Sequence, residues 1–144
     1  MVNLTDRDYL ALTIYGEARG EKNAGRLAVG TVIRNRVKAG RFGPSYEAVC
    51  LKPQQFSCWN ATDPNRPKLD RLSDQIRDHL APTDKALIEC YVIADCLIDG
   101  QAAMLKIRAA THYFATWLKE PPAWAASGVF VGTVGSHMFF EGVA

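Results

Sequence analysis

The apolar residues of the first hundred positions recur at helical spacing, and beyond Pro121-Pro122 that rhythm gives way to short runs on either side of Gly135-Ser136. This change of period constrains the fold, because recurrence every three to four residues buries one face of a helix whereas alternation buries one face of a strand. Thr5 with Asp8 forms a capping pair and opens a helix through Tyr9, Leu10 and Ile14 to about Glu17, with Gly16 and Gly20 bracketing its end. A second helix fits Ala24 to Lys38, with Leu27, Ala28, Thr31, Val32 and Asn35 on one side and Gly40 as its stop. The two make a hairpin whose turn region carries Glu17 and Glu21. A third helix begins at Thr83, follows Leu87, Cys90, Tyr91, Ala94, Leu97 and Ile98, and ends at Gly100; it is expected to be the central core helix. Val129 to Val134 and His137 to Phe140 read as two short strands. Between these lie the loop Arg41 to Pro44, a short helix from Tyr46 to Leu51, an extended segment from Gln54 to Trp59 and a long irregular excursion over 60–82. The expectation is an α+β fold, mainly α, with a small antiparallel β element, in a single domain spanning 1–144.

A chain of 144 residues can bury a core without metal or disulfide support. Seventeen Lys plus Arg against fifteen Asp plus Glu leave a net charge of +2, too small to point to a nucleic-acid partner. Arg34, Arg36, Lys38 and Arg41 are the one basic concentration and read as a solvated surface spread over more than one helix face. No apolar stretch is long enough to cross a bilayer, and Met1 to Asp8 leads into an acidic helix start, so cytoplasmic synthesis and no stable membrane insertion are expected. Cys50, Cys58, Cys90 and Cys96 lack C-x-x-C spacing, and free thiols are preferred over a Cys50 to Cys58 bridge formed after export. Cys90 reads as a small core residue. A monomer is expected.

Glu17 carries the chemistry in this reading. Leu10 and Ile14 precede it on one helical face, so its carboxyl group stands against an apolar wall. Such a carboxyl loses hydration of its charged form and is suited to carry a proton near neutral pH, the specification of a general acid. Glu21 is the nearest second carboxylate in sequence, read as capping the next helix or structuring the hairpin in preference to direct catalysis. Asp63 and Asp70 in the long excursion stay open as alternatives.

Four ordered blocks extend the picture: Ile14 to Glu21 continued by Gly25 to Val37, Pro53 to Asn60, Ala110 to Phe114, and Val134 to Phe140. Together they resemble the SleB/CwlJ-like cell-wall hydrolase family, which includes spore-cortex-lytic enzymes and phage endolysins. The resemblance implies a lysozyme-like architecture, with a cleft between a helical lobe and a smaller one. It implies bacterial peptidoglycan as the partner, no cofactor and no metal, and cleavage of the glycan strand between N-acetylmuramic acid and N-acetylglucosamine with Glu17 as proton donor. A phage-type protein of this kind would need a holin to reach the wall. Gln55, Ser57, Trp59 and Asn60 offer amides, a hydroxyl and an aromatic face suited to gripping sugars, while Phe56 reads as core. His112 and Tyr113 match the family's His-Tyr block. Tyr113 is expected to bond substrate or the catalytic carboxyl, and His112 equally to serve structure; His137 reads as structural, and Trp117 and Trp124 as cleft or packing aromatics. A single essential Glu suits a lytic transglycosylase. Glycosidases otherwise set a second carboxylate about 5 Å away as a nucleophile or roughly 6.5–9.5 Å away as a base, so a hydrolytic muramidase or glucosaminidase is the alternative. A zinc amidase would need a set such as His112 and His137 with a further ligand, at spacings unlike those of known zinc motifs. A noncatalytic wall-binding module is the remaining class.

Overall fold

The computed structural model describes residues 2–100 and 103–144. Five α-helices run in order, α1 Asp6–Ala18, α2 Asn23–Ala39, α3 Tyr46–Leu51, α4 Arg66–Arg77 and α5 Lys85–Ile98, and three strands follow, β1 His112–Ala115, β2 Val129–Val134 and β3 His137–Glu141. Single 3-10 turns occupy Ser57–Trp59, Leu105–Ile107 and Ala123–Ser127.

Thr5 and Asp8 form the reciprocal capping box that starts α1, and Gly40, in the left-handed conformation at φ 79°, ends α2 as expected. The central position belongs to α1 and not to α5. Residues Leu10 to Gly16 are buried on every side, and α1 packs against all four other helices and the Ser57–Trp59 turn. Helix α5 covers α1 and α2 through Leu87, Cys90, Tyr91, Ala94 and Leu97, capped by Asp84, while Ile98 is exposed.

Two segments differ from the expectation. The excursion over 60–82 contains α4, whose Leu69 and Leu72 are buried and whose Ile76 packs beside them. Pro67 lies in its first turn, where no intrahelical N–H is needed, so the proline opens the helix instead of breaking it. The segment Gln54 to Trp59 is not extended but folds into a 3-10 turn with Cys58 inside.

The sheet has the order β1-β3-β2 and is antiparallel throughout. His112 pairs with Phe140, Tyr113 with Phe139, Phe114 with Met138 and Ala115 with His137. Alternation therefore puts Tyr113, His137 and Phe139 on the inner face, toward the helices, and His112, Phe114 and Phe140 on the outer one. Phe139 joins Ala28 and Val32 of α2, Ile107 and Ala110 in a small second core, separate from the larger one around α1. Helix α2 serves both: Val29 and Ile33 belong to the larger core.

Candidate active site

Glu17 occupies the last turn of α1, half-buried where helices and sheet meet, with both carboxyl oxygens engaged. The Tyr113 hydroxyl donates to Oε1 at 2.7 Å, and the Cys58 backbone N–H donates to Oε2 at 3.1 Å. Tyr113 reaches it from the inner face of β1. Burial and the neighbouring Glu17 push the Tyr113 phenol far above its ordinary value, so it remains a donor at any physiological pH. The same two causes push the Cys58 thiol up, and Cys58 is an inert buried side chain whose backbone does the bonding.

That backbone can come so close because residue 16 has no side chain. A Cβ on Gly16 would stand 2.7 Å from both Cβ and Sγ of Cys58. Gly16 thus lies within the helix as a seat for the 3-10 turn and does not mark its end.

Glu21 does not cap α2, whose cap residue is Lys22. Its Oε1 instead accepts the Ser136 N–H at 2.8 Å, fixing the turn between β2 and β3. Gly135 in that turn has φ +55°, and a Cβ there would be 2.9 Å from Glu21 Oε1. His137 Nδ1 lies 3.4 Å from the same oxygen, without a hydrogen-bond partner among the described residues, and its ring meets Tyr113 edge-on at 4.9 Å. Burial lowers the proton affinity of His137, and Glu21 and then Glu17 oppose that effect.

The other candidates scatter. Gln55 Oε1 accepts from Arg36 at 2.8 Å, while the Arg36 Nε donates to the Thr111 carbonyl at 2.6 Å. Arg36 is therefore buried structure and not solvated surface: only 6% of it is exposed. Trp59 donates its indole N–H to Thr13 Oγ1 at 2.9 Å and packs against Tyr9. Ser57 and Asn60 are exposed on either side of Cys58. His112 is on the outer face, bonded to Thr111 Oγ1 at 2.9 Å and set against Trp124 at 4.8 Å. Burial, then Arg36 and Arg41, lower its pKa to about 4. His112 and His137 thus face opposite sides of the sheet, and one metal ion cannot be ligated by both. Asp63 receives the Asn65 N–H at 2.8 Å, and Asp70 pairs with Arg66 at 2.8 Å. Trp124 joins the outer aromatic cluster, while Trp117 is 72% exposed. All four cysteines are free. Sequence reasoning did not find the Cys58 and Ser136 N–H donors, since every residue but proline has one; Gly16 and Gly135 beside them were the available signal.

A mainly helical domain with one glutamate clamped between its helices and a small sheet has the lysozyme-like α+β architecture. The chain belongs to the cell wall hydrolase family, whose family model matches residues 20–140, a span that begins just after Glu17. It is similar to the spore cortex-lytic enzymes of Oceanobacillus iheyensis and Bacillus cereus, 38% identical to each over 52 residues. Those matches cover 36% of this chain, 19% of the Oceanobacillus enzyme and 20% of the Bacillus one, so they span about a fifth of the curated relatives' length. In fold it is similar to the catalytic domain of the germination-specific lytic transglycosylase SleB from Bacillus anthracis, with a TM-score of 0.67 and 24% identity over 97% of each chain.

Proposed function

We propose that this domain degrades bacterial peptidoglycan by cutting the glycan strand between N-acetylmuramic acid and N-acetylglucosamine, with Glu17 as the proton donor. The observation that carries the reading is the clamp: Tyr113 and the Cys58 N–H hold both Glu17 oxygens, so the carboxyl has a fixed direction where the helices meet the sheet. A fixed donor suits general acid catalysis, which requires the proton on the leaving oxygen as the C–O bond breaks. The reaction is a lytic transglycosylation. Glu17 gives its proton to the glycosidic oxygen, the bond to the muramoyl anomeric carbon breaks, and the same sugar's C6 hydroxyl attacks that carbon. The hydroxyl proton passes to the Glu17 carboxylate, restoring the acid and leaving a 1,6-anhydro end without consuming water. The engagement of Glu21 by the Ser136 N–H supports this single-acid scheme. The protein works as a monomer without cofactor, made in the cytoplasm and acting at the wall, through a holin if phage-encoded.

Hydrolysis is the second reading, favoured by one observation: His137 Nδ1 lies 3.4 Å from Glu21 and its ring meets that of Tyr113, which bonds Glu17, so the two carboxyls share a neighbourhood. Digestion of purified peptidoglycan in heavy-oxygen water separates them. Unlabelled products lighter by one water are expected; labelled reducing ends would establish hydrolysis. Glu17→Gln is expected to lower turnover by about 10² to 10⁴ with the fold unchanged by circular dichroism. Normal turnover by the folded variant would remove Glu17 from the mechanism.

A further inference from the structure

A groove of about 360 Å³ between the C-terminal half of α2 and residues 108–111 is lined by Arg34, Lys38 and Arg108 together with Asn35 and Thr111, and by no acidic residue. Among the described residues Arg7 pairs with Asp95, Arg26 with Glu89, Arg66 with Asp70, Lys68 with Asp84 and Arg77 with Asp74, while the other cations form no ion pair, so what marks the groove is that three of these gather around one concavity. Arg34, Lys38 and Arg108 have no carboxylate within ion-pair distance among the described residues. The C-terminal end of α2 favours Lys38 through the helix dipole, but that explains nothing about Arg108, which arrives from a different segment.

The groove also has a fixed floor. Buried Asn35 donates its amide to the Ala110 carbonyl at 2.8 Å, and its Oδ1 accepts Arg34 NH2 at 3.2 Å. The guanidinium is thereby oriented by a side chain that is itself anchored. Arg34 Nε is buried and, like Arg19 NH1 and Arg26 Nε, has no hydrogen-bond partner among the described residues, but of these three arginines Arg34 alone lines the groove. Two guanidinium forks and an ammonium around one concavity repel one another until an anion enters, and phosphate oxygens match the geometry of the forks.

We propose that this groove binds phosphodiester groups of an anionic wall polymer, holding the domain on its substrate through residues separate from Glu17. The choice of polymer rests on the cell-wall reading above; the anion chemistry does not. The test follows backbone amides of 108–111 and the Arg34 Nε–H by NMR, in isotope-labelled full chain, during titration with inorganic phosphate and then poly(glycerol phosphate). Saturable shifts confined to the groove are expected with both ligands, with chloride at equal ionic strength giving none. The double variant R34Q/R108Q is expected to bind the polymer at least about tenfold more weakly and to clear phosphate-bearing walls more slowly. Its turnover of purified, phosphate-free peptidoglycan should be unchanged, so loss of the groove is read apart from loss of catalysis. Absence of saturable binding, equal binding by the variant, or binding of inorganic phosphate without the polymer would each overturn the proposal. So would tighter binding of a DNA oligonucleotide than of the polymer.

Discussion

Replacing Tyr113 with Phe removes one O–H and little else, since the ring keeps its contacts with His137 and Phe139. The hydrogen bond it deletes ends on a carboxyl oxygen, and bonds to charged groups are worth about 1.5–3 kcal/mol. Tyr113→Phe is therefore expected to lower kcat roughly ten- to a hundredfold with little change in KM, as steady-state kinetics on soluble glycan fragments would show. His112 gives a prediction about stability. Its folded pKa of about 4 lies below the ordinary histidine value of 6.5, so the unfolded chain binds more protons between those limits. Stability should fall as pH drops from about 6.5 toward about 4, and His112→Gln should flatten that decline in urea midpoints measured across the range. At this scale the sequence singled out Glu17 as a carboxyl one helical turn from Ile14, and the His-Tyr block offered Tyr113 either to substrate or to that carboxyl; in the structure its hydroxyl bonds the carboxyl. Gln55, Trp59 and His112 show what residue type leaves open: an amide, an indole and an imidazole suited to gripping sugar bond within the protein to Arg36, Thr13 and Thr111.

Among the elements, α1 and the Ser57–Trp59 turn form a joint whose closeness depends on Gly16. Gly16→Ala would force its methyl against Cys58 at 2.7 Å, with Leu69 of α4 at 3.0 Å leaving no room to yield. Overpacking of this kind typically costs about 1–3 kcal/mol, and the displaced turn would also draw the Cys58 N–H away from Glu17. Gly16→Ala is thus expected to lose that stability in urea denaturation and to lose turnover even where it remains fully folded. Helices α1, α2, α3 and α5 and strands β2 and β3 were readable because period, caps and glycine stops agree there. Helix α4 was not, since Pro67 and a polar surround suggest a loop until Leu69, Leu72 and Ile76 are seen as one face. Strand β1 was missed because four residues, His112–Ala115, are too few to show a period, and its pairing with β3 is what makes it a strand.

The whole molecule is two unequal cores joined along α2. The larger holds α1 and its neighbours; among the described residues the smaller has only Ala28, Val32, Ile107, Ala110 and Phe139 fully inside. Which core a residue joins was not readable from α2 itself, because Ala28 and Val32 differ from Val29 and Ile33 only in direction, and direction needs the partners. The smaller core buries less, so the sheet should detach from α2 in partial openings while the helices stay formed. Amide hydrogen exchange is expected to show β1 and β3 exchanging with a smaller opening free energy than α1; equal values would mean one cooperative unit. Each such opening takes Tyr113 away from Glu17. Warming should accordingly silence the enzyme some degrees below the temperature at which its helical signal melts, so that heat inactivation reports the breathing of a three-stranded flap and the melting curve reports something else.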